Sequence, residues 1–312
     1  MTDHQENVKK KKVIKESVIT FAFFLVIGLV LWKTQGHVFF LFNFAYIGFA
    51  AASGEFLFGI LPREKKSMGR KSSQLLIGSY MLGVLGFLGR ENMQIEGFFF
   101  YLLAGVFSGP VLHYLIAKIG GTVLFGRGWC GWACWTTMVL DFLPWMKPRS
   151  GRKKGWGVFR YIHFFAILAL ILVIWFGFEM HGFHNQRWIA LQWLIYGNAL
   201  YFSIGLILAA FLKDNRAFCK YVCPIPAFLK IGSRFSLWKM EIDKGVCIEC
   251  GLCEEHCPMN IKLLSYMHDN QRVLSTECIA CHQCVSICPT EAVAFTRKFD
   301  SDFKEHLDYD QG

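Results

Sequence analysis

The sequence predicts an α-helical membrane protein followed by a small C-terminal α+β domain, and three observations carry that expectation. Hydrophobic residues make up 54% of the 312-residue chain and Phe alone occurs 31 times, more apolar surface than a soluble protein can hide. The apolar residues fall in long runs whose ends are marked by Lys and Arg, the pattern of membrane topology. Of the 12 cysteines, most lie near the C-terminus in two tandem copies of one spacing.

The first copy holds Cys247, Cys250, Cys253 and Cys257-Pro258, the second Cys278, Cys281, Cys284 and Cys288-Pro289. Both read C-x2-C-x2-C-x3-C-P, in which three thiolates hold one [4Fe–4S] cube and the fourth ligates its neighbour. Three ligands must come from one tight loop because the iron corners of a cubane are close together. On that rule one cluster takes Cys247, Cys250, Cys253 and Cys288, and the other takes Cys278, Cys281, Cys284 and Cys257. Structural zinc sites use paired C-x2-C knuckles and need no C-P ending, so iron–sulfur is the stronger reading. Apolar–polar alternation from Leu237 to Ile242 predicts a strand leading into the first loop. A bacterial-type 2[4Fe–4S] ferredoxin domain is therefore expected over 237–296.

Upstream, six transmembrane helices are expected. A polar segment, 1–16, carries Lys9 to Lys12 and Lys15 and precedes an apolar run from Ser17 to Trp32. Further runs cover Val38 to Leu61, Ser73 to Gly89, Phe98 to Ile119, Val158 to Phe178 and Trp188 to Leu212, making a membrane domain over 17–236. Basic segments at 62–72 and 120–157 belong inside, with both termini, while the outside links carry only Lys33, Arg90 and Arg187. Every cysteine then lies on the cytoplasmic side of a prokaryotic inner membrane, which favours thiolate ligands over disulfides.

Two shorter groups sit where spans meet the cytoplasm. One runs Arg127-Gly128-Trp129-Cys130-Gly131-Trp132-Ala133-Cys134, the other Arg216-Ala217-Phe218-Cys219-Lys220-Tyr221-Val222-Cys223-Pro224. Both have Arg, then C-x3-C, and suggest an internal duplication. If the adjoining spans pack together, Cys130, Cys134, Cys219 and Cys223 converge. A third metal or iron–sulfur site, a reversible dithiol pair and structural thiols are all open for them. Arg127 and Arg216 either stabilise thiolate charge or anchor headgroups.

Spans, paired C-x3-C groups and a C-terminal double ferredoxin run together resemble the membrane polyferredoxins of the NapH, NosR and CcoG type. The resemblance is strong from Gly126 to Phe295 and topological before that. Cys219 to Pro224 matches the family's C-x3-C-P group, whereas Cys134 is followed by Trp135 where Pro is usual. The outside links leave no room for the flavin-bearing domain of the NosR type. What the resemblance implies is iron–sulfur electron transfer between the quinone or quinol pool and a redox partner protein, as in a quinol dehydrogenase component. The CcoG type implies copper reduction during oxidase maturation instead, and a redox-sensing membrane regulator is a third class. The chain lacks His- or Met-rich copper segments and a DNA-binding or signalling domain.

His113 and His163 lie at similar depth in adjacent spans, where haem is disfavoured against a quinone or proton role or helix-to-helix packing. His181 and His184 are a polar turn before they are a metal pair. His256 and His282, inside the cluster loops, are placed to tune potential by hydrogen bonding. Trp129, Trp132, Trp135, Trp145 and Trp156 read as an aromatic belt. The segment 297–312, with Asp300, Asp302, Glu305, Asp308 and Asp310, reads as an acidic flexible tail. The net charge of +10 is spread over helix ends, no nucleic-acid motif accompanies it, and no G-x-G-x-x-G loop or nucleophile–base motif occurs.

Overall fold

The computed structural model describes residues 3–178, 187–302 and 304–310. His181 and His184 lie outside the described residues. Hydrophobic runs become α1 (Asp3–Gln35) and α2 (Phe39–Ile60), which pack along each other, and α3 (Lys66–Ser79), which continues as a π-helical stretch through Tyr80–Leu88. Gly36, with φ of 74°, ends α1, and the extended Leu61 before Pro62 ends α2 where the sequence places the stop. Next come α4 (Ile95–Leu103), α5 (Gly109–Leu112), a π-helical His113–Gly120 and α6 (Gly121–Phe125). Two short helices, α7 (Gly128–Trp132) and α8 (Trp135–Leu140), precede the long α9 (Phe159–Leu172), extended by Val173–Gly177, and α10 (Arg187–Leu212). Among the described residues four helices are long and apolar enough to cross a membrane: Lys10–Gln35, Phe39–Ile60, Trp156–Gly177 and Arg187–Leu212.

The unbroken fourth span expected from Phe98 to Ile119 is instead divided. Between Leu88 and α4 the chain is irregular, and Asn92, Met93 and Gln94 in it are all nearly inaccessible. A Cβ on Gly197 would come within 2.3 Å of Gln94 Oε1. Gly197 lies ten residues into α10, about 15 Å along the helix from Arg187 at 1.5 Å per residue. Asn92 Oδ1 accepts the Gln94 amide at 3.0 Å, and Gly97 has no room for a side chain because a Cβ there would meet Asn92 O at 1.9 Å. From this tight turn α4 leads outward again. Phe98 near its start faces Phe228 at 6.5 Å, while Phe100 further on meets Trp175 in the extension of α9 at 5.8 Å. Irregular backbone at membrane depth persists where protein buries it, which is the case here.

After α10 come α11 (Ala217–Tyr221) and α12 (Pro226–Arg234), then a two-stranded antiparallel sheet of β1 (Trp238–Ile242) and β2 (Val293–Arg297), in register from Trp238↔Arg297 to Ile242↔Val293. Between the strands lie α13 (Leu252–Glu255), α14 (Leu263–His268) and α15 (Gln283–Ile287). Met240, Ile242, Ile261, Leu263, Tyr266 and Val293 form part of one core with the cysteine loops.

The tail read as mobile is seated. Asp300 pairs with Arg272 at 2.6 Å and Lys239 at 3.1 Å, Ser275 donates to Glu305 at 2.5 Å, and Lys153 pairs with Asp310 at 2.5 Å. Asp300, Glu305, Asp308 and Asp310 meet bases or hydroxyls elsewhere in the chain and Asp302 accepts from the Gln271 amide, so specific polar contacts replace the expected solvation. The tryptophan belt is corrected in part as well. Trp129 and Trp135 flank the buried Lys118, at 5.2 and 5.9 Å, and Trp132 Nε1 donates to Ala280 O at 2.8 Å.

Candidate metal centres

Two cavities lie beside the sheet. One is lined by Cys247, Cys250, Cys253 and Cys288 together with Ile242 and Val293; the other by Cys257, Cys278, Cys281 and Cys284 together with Met240 and Ile261. Each pocket thus gathers three cysteines of one run with the last cysteine of the other. The two loops share a backbone as well as a spacing. Left-handed φ values occur at Glu249 and Ala280, at Gly251 and His282, and at Asn260 and Glu291, three pairs at equivalent positions of the two copies. Non-glycine residues in that region are strained by about 1–3 kcal/mol each, a cost that clusters at functional sites. The turns they make bring three thiols of each run to one wall. Among the described residues no three His, Cys, Asp or Glu converge on a single-ion site; the thiols ring volumes instead.

The C-x3-C groups form a second matched pair. In each, Arg is the N-cap, the first Cys is the third residue of a five-residue helix, and an equivalent amide closes the turn. Those closures run from Ala133 N to Trp129 O at 3.0 Å and from Val222 N to Phe218 O at 2.9 Å. The two groups part after the second cysteine: Trp135 begins α8 directly, whereas Pro224 comes two residues before α12. The four thiols share one electrostatic neighbourhood: Cys223 feels Cys219, Cys134 and Cys130, and Cys219 feels Arg216, Cys134, Cys130 and Arg127. Burial pushes the Cys219 thiol up to about 12, against the pull of Arg216.

Around them lies a concentration of buried cations that spacing alone did not reveal. Arg70, Arg127, Arg152, Arg160, Arg216, Lys118 and Lys220 are all buried, and among the described residues Asp141, Glu277 and Asp214 are the carboxylates that pair with them. Asp141 binds Arg216 at 2.5 Å and Arg70 at 2.6 Å. Glu277, next to Cys278, receives Arg127 and Arg160 at 2.8 Å, Lys230 at 2.7 Å and Arg152 at 3.4 Å. Burial alone would raise the Glu277 carboxyl, but these cations hold it well below the usual range. Arg127 and Arg216 are therefore neither headgroup anchors nor surface groups, since both are essentially inaccessible. Arg216 also donates to Cys130 O at 3.0 Å and Arg70 to Gly131 O at 2.7 Å, clamping the first loop. Several donors here have no partner among the described residues: Nε and Nη2 of Arg127, Nε of Arg216 and Nε1 of Trp129.

The membrane-edge group abuts the second ferredoxin loop. A Cβ on Gly131 would lie 2.2 Å from Ile279 O, so only glycine permits this approach. His282 is packed against Phe58, Trp132 and Phe295 at 5.6, 5.5 and 4.7 Å, and burial, with Arg70 adding to it, lowers its pKa to about 4. His256 Nδ1 lies 3.1 Å from Leu252 O. The two span histidines are engaged separately: His163 Nδ1 bonds Val222 O at 2.9 Å, and His113 meets Trp129 edge to face at 5.0 Å.

Eight cysteines ringing two cavities at the end of a membrane-helix bundle define a membrane-anchored iron–sulfur protein. A 4Fe-4S dicluster domain model matches residues 239–289, and a 4Fe-4S binding domain model matches twice, over 109–153 and 197–242, the second time over the duplicated C-x3-C unit. An uncharacterised protein of Methanocaldococcus jannaschii is 32% identical over 238 residues, covering 73% of this chain and 86% of the relative. The ferredoxin-type protein NapH of Haemophilus influenzae is 29% identical over 57% of this chain and 65% of its own length. The methylamine utilization ferredoxin-type protein MauN of Paracoccus denitrificans is 29% identical over 58% of this chain and 64% of its own. No solved structure matches. The chain belongs to the 4Fe-4S-binding membrane polyferredoxins.

Proposed function

We propose that the protein is an electron carrier of the cytoplasmic membrane, an oxidoreductase component that links the quinone pool to a redox partner through iron–sulfur clusters on the cytoplasmic side. Cys247, Cys250, Cys253 and Cys288 hold one [4Fe–4S] cluster, Cys278, Cys281, Cys284 and Cys257 a second, and Cys130, Cys134, Cys219 and Cys223 a third. The ferredoxin-type names of the NapH and MauN relatives support the electron-transfer reading. Six crossings with both termini inside follow if α3 with its extension, and the divided unit from α4 to α6, supply two beyond the four apolar helices.

The observation that carries the third site is the charge surplus. Seven buried cations face three pairing carboxylates around four thiols, and unpaired buried charge is costly. Four thiolates with bound iron supply the missing negative charge, and the orphaned donors of Arg127, Arg216 and Trp129 supply hydrogen bonds to it. A [4Fe–4S] group, when bound, takes up and releases single electrons. The chain's own residues hold the spacing. Arg216 and Arg70 fix the first loop by its carbonyls, Arg160 and Arg152 fix Lys220 O in the second, and Trp132 ties the first loop to Ala280. Cys250 and Ile248 are exposed and offer the outer set to a partner.

Iron and sulfide counting on anaerobically purified protein tests this. About twelve irons per chain are expected, since each cluster holds four. About eight would remove the third site, and fewer than eight would remove the ferredoxin assignment too.

A further inference from the structure

Cys257 leaves its own run to line the second pocket, and the loop that carries it is held by parts of the chain far from it in sequence. After Cys257-Pro258 the backbone turns at Asn260, where φ is 51°, and runs irregularly to α14. Two neighbours take up its polar groups. The first is the membrane-domain loop: Arg152 Nη1 donates to Met259 O at 3.5 Å, and Asn260 Nδ2 donates to Ser150 O at 3.1 Å. The second is segment 304–310. Asp308 N donates to Asn260 O at 2.8 Å and Lys262 N donates to His306 O at 3.0 Å, an antiparallel bridge centred on Ile261 and Leu307. The same strand continues onto the membrane-domain loop, where Arg152 N donates to Asp308 O at 2.8 Å and Asp310 N to Arg152 O at 3.0 Å. Tyr266 secures its start, donating to Lys304 O at 2.8 Å and accepting from His306 N at 2.9 Å.

The other crossing cysteine shows why such a hold is needed. Cys288 is followed closely by β2, so the sheet itself fixes its loop, and exposed Arg63 adds a bond to Pro289 O at 3.0 Å. The Cys257 loop enters no strand of the β1–β2 sheet, and segment 304–310 supplies the strand it lacks. Leu307 packs on the same core as Cys257, which seats that strand against the pocket side of the loop. Groups that orient a ligating side chain decide how well the ligand keeps its metal. We propose that segment 304–310 is a clasp that positions Cys257 in the second pocket and so guards the iron corner at which the two cysteine runs cross. The inference rests on the assignment of Cys257 to the second cluster and identifies what keeps that ligand in place.

Ferricyanide provides the test on full-length, anaerobically purified protein. It withdraws one electron from a [4Fe–4S]²⁺ cube, which releases Fe²⁺ from a corner whose thiolate has moved away and leaves [3Fe–4S]⁺, read by electron paramagnetic resonance. Asp308→Pro removes the amide that donates to Asn260 O and touches no cysteine. It should form the three-iron species about tenfold faster than wild type, the factor for one lost backbone hydrogen bond, with faster amide exchange at Lys262. Asp308→Asn keeps the backbone bonds, gives up only an exposed pair with Lys262 at 3.6 Å, and should match wild type. Leu307→Ala, which thins the packing of the same strand, should give a smaller increase, and it decides the matter where Asp308→Pro fails to retain iron. Cys257→Ala should form the three-iron species unaided or lose the second cube. If it does so while Asp308→Pro and Leu307→Ala match wild type, the clasp is wrong and the ligand assignment stands. If Cys257→Ala keeps all its iron and matches wild type, the clasp and the assignment fall together.

Discussion

The ferredoxin loops and the membrane-edge loops each gather four cysteines, by different physical means. In the ferredoxin region the backbone does the shaping: left-handed residues at matched positions bend each loop around a cavity walled by Ile242, Met240 and Ile261. At the membrane edge the backbone is ordinary short helix, and charge does the shaping through arginines that cap the helices and hold loop carbonyls. Strain specifies geometry without reference to charge, whereas a cation-lined site is complete only when an anion occupies it. The two regions should therefore fail differently when perturbed.

The largest effect is expected at Glu277, where both regions meet. Glu277→Ala leaves Arg127, Arg152, Arg160 and Lys230 facing one another in a buried space. Removing one partner of a buried ion pair costs about 3–5 kcal/mol, so thermal unfolding should drop sharply and all clusters should be affected together. Survival of both stability and full iron content would show that the two regions are not joined through this residue.

A more selective result is expected from Arg127→Met and Arg216→Met. These remove cations and the orphaned donors from the membrane-edge group and leave the ferredoxin cavities intact. About four irons should be lost and about eight kept, with the ferredoxin signals unchanged in electron paramagnetic resonance. Loss of iron from all sites in proportion would blur the contrast between strain-built and charge-built sites.

The smallest expected effect is from Gly131→Ala. The added methyl must displace Ile279 O, an overpacking cost of about 1–3 kcal/mol, and it should loosen the seam without touching a ligand. Iron content is expected to hold while reduction of the ferredoxin clusters by a hydroquinone slows. An unchanged rate would mean that close approach at this seam is not needed.

Much of this was legible in the chain. The cysteine spacing grouped the same residues that line the two pockets, with Cys257 and Cys288 exchanged between the runs. The likeness of the two C-x3-C groups was visible by eye and reappears as a shared backbone. Hydrophobic runs located α1, α2, α9 and α10, because a crossing of about 20 apolar residues is a local property. The fourth run was misread because apolar composition is the same for a straight span and for a turn-and-return buried in protein. The tail was misread because acidity looks like solvation until its basic partners are known.

What the sequence by itself determined, then, is which cysteines gather around each pocket and which segments are long and apolar enough to cross a bilayer, since cysteine spacing and hydropathy act over a few neighbouring residues. The tertiary structure alone decided how charge is arranged around that chemistry. Glu277 meets Arg127 across 150 residues and Arg160 across 117, and Arg216 meets Asp141 across 75. No local pattern records such pairings, because a buried ion pair is specified by the energy of excluding water from both partners at once.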